Sequence, residues 1–145
     1  MRHCILLILA WVWSLGLGAM ERGDSVFSSL QPDRLTLLVF YDLDCAECRQ
    51  ELFALRHASV VEARIKEELL QVLAIYTGED EALWLEHRDE LPKSWQVVMA
   101  DGGIDGYDLS AMPAIYLLDA DKKVMMHNPT VPQLSALLES LWQNP

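Results

Sequence analysis

Leu35-Thr36-Leu37-Leu38-Val39-Phe40-Tyr41-Asp42-Leu43-Asp44-Cys45-Ala46-Glu47-Cys48 is the stretch on which the fold of this chain turns. Leu35 to Tyr41 is an apolar run too short for a helix and suited to a strand buried on both faces. Asp42-Leu43-Asp44 ends it, and two cysteines with two residues between them follow at once. From Ala46 to about Arg56 the pattern becomes helical, with Leu52 and Leu55 spaced to share a face with Cys48. Helical spacing of three brings the two Cβ atoms to roughly 5–6 Å, close enough for a disulfide after small adjustment. Cys45, at the helix N-terminus, meets the dipole and free N–H groups that favour a thiolate, the nucleophilic form. Cys48, one turn inside, is better shielded and can attack a mixed disulfide from within. The same spacing suits half of a zinc site, but no second cysteine pair or histidine cluster completes one.

Working outward, the chain of 145 residues opens on Met1-Arg2-His3 and an apolar run from Cys4 to Leu17, followed by small residues. A basic start, an apolar core and Gly18 or Ala19 as a cleavage point make residues 1–19 a secretory signal peptide. The alternative is an uncleaved anchor at the short end of the range that spans a bilayer. Either way the folded part, residues 20–145, is expected outside the cytoplasm, periplasmic or otherwise exported. It is long enough for one domain and too short for two. The net charge is −11, and every acidic residue lies beyond residue 19. Such a domain lacks the basic face that nucleic acid requires, and it disfavours anionic membrane surfaces. The exported part keeps only Cys45 and Cys48. A disulfide there closes a very small loop and removes little unfolded-chain entropy, so the pair points to chemistry rather than to stapling.

Downstream, a second helical piece over about Val60 to Glu68 joins a strand over Leu70–Tyr76. Thr77 to Asp80 offers a helix start, and a helix over about Glu79 to Glu90 stops before Pro92. Trp95 to Met99 reads as a short strand, Asp101-Gly102-Gly103 as a turn, and Ile104 to Leu109 as a short helix. Ala114–Leu118 and Lys123–Met126 flank Asp119 to Lys122 as a β-hairpin. A last helix runs over about Val131 to Trp142, with Pro132 tolerated in its first turn and Leu134, Leu137, Leu138 and Leu141 on its apolar face. Alternating strands and helices imply a parallel sheet covered on both faces, with the hairpin as an antiparallel edge. The expected architecture is a three-layer α/β/α sandwich around a mixed central sheet.

Two segments carry a resemblance. Phe40-Tyr41-Asp42-Leu43-Asp44-Cys45-Ala46-Glu47-Cys48 and Ala111-Met112-Pro113-Ala114-Ile115-Tyr116-Leu117-Leu118-Asp119 resemble the two signatures of thioredoxin-like proteins, most closely the exported TlpA/ResA-like members. Leu73 to Asp80 and Leu91-Pro92-Lys93-Ser94-Trp95 strengthen it, and it covers about Leu35 to Trp142. The resemblance implies thiol–disulfide oxidoreductase activity, with Cys45 and Cys48 as the redox-active disulfide. It makes Pro113 a cis-proline facing that disulfide and, with the Met112 backbone, the holder of an extended substrate strand. It makes Glu51 a proton-transfer residue. It implies protein thiols and disulfides as partners, a periplasmic or membrane-linked electron donor, and neither cofactor nor metal.

The chain also departs from thioredoxin itself. Val39 stands where a buried aspartate is expected, Ala46-Glu47 replaces Gly-Pro, and Asp44 replaces a tryptophan. Glu21 to Pro32 leaves little room for the extra N-terminal strands of TlpA/ResA-like proteins. Asp42, Asp44 and Glu47 place carboxylates near Cys45, opposing the helix dipole. They should raise the Cys45 thiol pKa and make the disulfide harder to reduce, as in a reductant or isomerase. His57 and His87 read as surface residues, and Trp84, Trp95 and Trp142 as core or rim packing. His127 alone supports a copper site of two cysteines and a distant histidine, although such sites space their cysteines Cys-x-x-x-Cys. The rival class is a thioredoxin-fold module that binds peptide or metal without redox turnover.

Overall fold

The computed structural model describes residues 23–100 and 102–143; the signal peptide or anchor expected over residues 1–19 lies outside them. Its elements are α1 (Gly23–Ser28), β1 (Leu35–Tyr41), α2 (Ala46–Arg56), α3 (Ser59–Lys66), β2 (Leu70–Tyr76), α4 (Glu81–His87), a 3₁₀ turn (Arg88–Glu90), β3 (Gln96–Met99), β4 (Ala114–Leu118), β5 (Val124–His127) and α5 (Val131–Ser140). One five-stranded sheet runs in the order β3-β2-β1-β4-β5. β1 pairs parallel with β2, and β2 with β3, while β4 lies antiparallel to both β1 and β5. The central strands are buried almost throughout, as their unbroken apolar runs require.

The sheet has a core on each face. On one, Leu37, Val39 and Tyr41 of β1 meet Cys48, Leu52 and Leu55 of α2, Val61 of α3, and Leu134 and Leu138 of α5. On the other, Leu38 and Phe40 meet Val26 and Leu30 of the α1 segment, with Ala100, Ile104 and Tyr116. The period of two in β1 thus sends alternate side chains to opposite cores. The one buried polar pair on the strands is satisfied: the Gln71 side-chain amide donates to Thr36 Oγ1 at 3.0 Å and to the Gln31 carbonyl at 2.9 Å. Leaving such groups unpaired costs about 1–3 kcal/mol each.

Three expectations need correction. Ile104 to Leu109 is a loop, not a helix. Gly103 and Gly106 have φ of 84° and 93°, left-handed values that interrupt a right-handed ladder. The Asp108 N–H and carbonyl are both taken by the Tyr116 hydroxyl, at 2.9 and 3.0 Å, instead of by helical neighbours. Among the described residues the second face is therefore covered by α1 and this loop, a thinner layer than that formed by α2, α3 and α5. Second, the helix expected through Glu90 ends at His87 and tightens into the 3₁₀ turn. Third, α5 stops at Ser140, leaving Leu141 42% exposed. Its start is fixed by a capping box: Thr130 Oγ1 accepts from the Gln133 N–H, and the Gln133 side chain accepts from the Thr130 N–H.

Candidate functional site

β1 ends at Tyr41, and Asp42-Leu43-Asp44 carries the chain from the sheet to α2. The Asp42 carboxylate accepts from the Asp44 N–H at 3.1 Å, closing the turn. Cys45 then caps α2 in an extended conformation, and its sulfur accepts from the Cys48 N–H at 3.1 Å. A helix N-terminus leaves its first N–H groups without helical partners, so the sulfur fills the place of an oxygen cap. Cys45 and Cys48 form a disulfide with Cα atoms 5.2 Å apart, inside the ordinary range. Cys48 is fully buried in the α2-side core, whereas Cys45 is half-buried. Of the two sulfurs, Cys45 therefore faces outward.

The sheet register brings the second segment to this spot. β1 and β4 run antiparallel with Phe40 opposite Ala114, so the residues before Ala114 meet the residues after Tyr41. The Met112–Pro113 peptide is cis, and the Met112 carbonyl lies 3.8 Å from Cys45 Sγ. The Met112 N–H has no hydrogen-bond partner among the described residues. Glu47 Oε2 comes to 4.0 Å from Cys45 Sγ, so one of the three expected carboxylates stands beside the outward sulfur. Glu51 follows Cys48 by three residues on α2, half-buried, and its carboxylate makes no hydrogen bond or ion pair among the described residues.

The remaining singled-out residues lie apart from the cysteines. His57 caps the far end of α2 and contacts the Phe53 carbonyl at 2.8 Å, and His87 pairs with Glu90 at 2.9 Å. His127 stacks on Tyr116 with ring centroids 4.2 Å apart. Among the described residues, no three His, Cys, Asp or Glu side chains converge as a metal-binding set. Beneath the cysteine loop, burial pushes the Tyr41 phenol up to about 12, opposed by the neighbouring Trp84 indole and assisted by Tyr76. The Trp84 N–H, buried, has no partner of ordinary hydrogen-bond geometry. Tyr76 is raised as well, by burial and then by the Asp42 carboxylate, with a hydrogen bond to the Asp80 backbone opposing. A cleft between α2 and α4 was not foreseen, because its two walls come from separate stretches of the chain, Tyr41 to Arg56 and Leu83 to Leu91.

Neither a protein-family model nor a curated protein sequence matches the chain. Solved structures do. A thioredoxin-like protein from Bacteroides caccae is 31% identical with a TM-score of 0.68, over 77% of this chain and 41% of its own length. The chain thus spans less than half of that relative. A conserved protein of unknown function from Bacteroides fragilis is 33% identical with a TM-score of 0.65, over 72% of this chain and 80% of its own. This chain has the thioredoxin-like fold. A thiol:disulfide interchange protein from a Bacteroides species, at 20% identity and TM-score 0.63 over 75% of this chain and 73% of its own, shares the thioredoxin-like fold. Within that fold Cys45 and Cys48 make a redox-capable site. Among the described residues, the segment before β1 forms the short helix α1.

Proposed function

We propose that this chain is an exported thiol–disulfide oxidoreductase of the TlpA/ResA-like branch, acting on protein substrates as a reductant or isomerase. One arrangement supports this most: a half-buried sulfur at a helix N-terminus, a fully buried second sulfur behind it, and the Met112 backbone opposite. In the reduced form the Cys45 thiolate attacks one sulfur of a substrate disulfide. The Cys45–substrate bond forms as the substrate S–S bond breaks, and the leaving thiolate takes a proton. Cys48 then loses its proton and attacks Cys45 Sγ, forming the Cys45–Cys48 disulfide and releasing the second substrate thiol. Two electrons and two protons have passed to the substrate, and a dithiol donor, periplasmic or membrane-linked, returns them.

Each part has a physical reason. The Cys48 N–H and the α2 terminus stabilise a thiolate at Cys45. Glu51, one turn beyond Cys48, is the group that relays its proton. Met112 and Pro113 form the opposite wall, where the Met112 N–H and carbonyl pair with an extended substrate strand. The carboxylate of Glu47, with Asp42 and Asp44 close in sequence, repels a thiolate; this disfavours the dithiol and makes the disulfide harder to reduce. Export rests on the basic, apolar and small-residue pattern of residues 1–19.

Trapping tests the roles. Cys48→Ser accumulates a mixed disulfide through Cys45, because nothing resolves it, while Cys45→Ser accumulates none. Equal trapping by the two variants contradicts the assignment. Absence of trapping and of dithiol–disulfide cycling leaves only a binding module.

A further inference from the structure

A cleft of about 450 Å³ lies between the outer side of α2 and α4 with its 3₁₀ turn, and neither cysteine lines it. Its apolar surface comes from Leu43, Leu52, Phe53 and Leu91, and Phe53 is 56% exposed there. At one end stands Asp44, the residue before Cys45, so the cleft is continuous with the reactive loop. Arg49 and Arg56 stand along its α2 side, two helical turns apart on one face. Each guanidinium is anchored through Nη1 to a backbone carbonyl, Arg49 to Leu43 at 2.6 Å and Arg56 to Glu90 at 3.1 Å.

Neither arginine pairs with a carboxylate among the described residues, although acids outnumber bases two to one in the chain. The Arg56 guanidinium lies 5.1 Å over the Phe53 ring, and its buried Nε has no acceptor. The Glu90 carboxylate is engaged by His87, and Asp44 sits at the Cys45 end. Arg56 therefore stands in the cleft with no carboxylate on its guanidinium, beside the cleft's most exposed aromatic ring.

We propose that this cleft holds the polypeptide substrate beside its reacting cysteine, taking an aromatic or large aliphatic side chain against Phe53 and a carboxylate on Arg56. The inference rests on the redox reading above and adds the substrate class: disulfide-bearing chains with an apolar and an acidic residue near the cysteine. Cys45 and Arg56 are separated by about 16 Å of helix, a distance an extended peptide covers in about five residues. The apolar side chain accordingly belongs three or four residues from the substrate cysteine and the carboxylate about five. The overall charge of −11 repels acidic peptides, but exposed charges more than about 8 Å away are largely screened at physiological salt. A preference for an acidic substrate thus runs against the field of the whole molecule and reports the local arginine.

The test uses the reduced full-length chain in single turnover with peptides whose one cysteine is disulfide-linked to 2-mercaptoethanol. One set carries Phe and Glu at these distances N-terminal to the cysteine, a second set carries them C-terminal, and each has a Lys-for-Glu counterpart. In one of the sets the Phe/Glu peptide should react about tenfold faster than the Phe/Lys peptide, the scale of one charge-assisted hydrogen bond. Arg56→Gln should bring that ratio to about one. Equal rates, or faster Lys peptides in both sets, overturn the proposal. So does glutathione disulfide reacting as fast as the Phe/Glu peptide, which marks a site for a small anionic thiol instead. Neutral bis(2-hydroxyethyl) disulfide reports the redox reading separately. If that is not reduced, the cleft is judged by titrating Ser-for-Cys Phe/Glu peptides against the oxidised chain. NMR shifts at Phe53 and Leu91 support the proposal, and unmoved signals overturn it.

Discussion

Tyr41 sits at the end of β1 under the cysteine loop, where its phenol is almost fully buried. Its ordinary value near 10 is pushed up to about 12 by burial, with Trp84 opposing and Tyr76 adding. Between those values the unfolded chain gives up a proton that the folded chain keeps. The stabilisation is therefore complete below pH 10 and is lost as pH rises through 12, amounting to at most about 2–3 kcal/mol. Urea unfolding at pH 9 and pH 11.5 should show a smaller loss for Tyr41→Phe than for the unaltered chain, and Tyr76, raised in the same direction, should keep some loss in both. Identical losses contradict this account of Tyr41. Glu51 carries a second prediction. Glu51→Gln should slow disulfide exchange by roughly 10²-fold and change its pH profile, as loss of a positioned proton carrier does. An unchanged profile makes Glu51 an ordinary helix residue. The cysteine pair was legible from spacing alone, because two positions one helical turn apart are near in any helix. The Met112 carbonyl beside Cys45 was not legible from spacing, because it depends on β1–β4 register across a separation of 67 residues.

Among the elements, those with a strong period came through best. β1 and β2 keep their expected limits, and α2 buries Cys48, Leu52 and Leu55 along one stripe. Leu55 is almost completely buried, so Leu55→Ala should cost about 2–5 kcal/mol. Thr130→Ala removes half of the α5 capping box at an exposed position and should cost about 1 kcal/mol. Equal losses in a two-state melt would mean that the α2 side of the core is not packed as described. The illegible elements were those whose backbone is satisfied from far away. Ile104 to Leu109 carries enough apolar residues for a helix, but its hydrogen bonds go to Tyr116, and Gly106 within it and Gly103 just before it take left-handed conformations. α1 has only six residues and no internal period, and it is defined by the side of the sheet that Val26 and Leu30 cover.

At the scale of the whole molecule, alternation of strands and helices dictated a parallel sheet with an antiparallel hairpin edge, and β3-β2-β1-β4-β5 is that sheet. This order sets the C-terminal end of β1 against the start of β4, which puts a helix N-terminus, a buried thiol and a backbone wall at one edge. The cleft beside Arg56 escaped the sequence because it depends on how α4 lies against α2, which neither helix's own pattern specifies. The central claim is that Cys45 and Cys48 cycle as one two-electron couple poised to reduce or isomerise. Equilibration of the full chain in glutathione and dithiothreitol redox buffers, with the dithiol fraction read by alkylation, measures it directly. The account predicts a single two-electron transition nearer the roughly −270 mV of thioredoxin than the roughly −120 mV of a strong oxidant. A transition near the oxidising end, or a pair that never exchanges with the buffer, contradicts it.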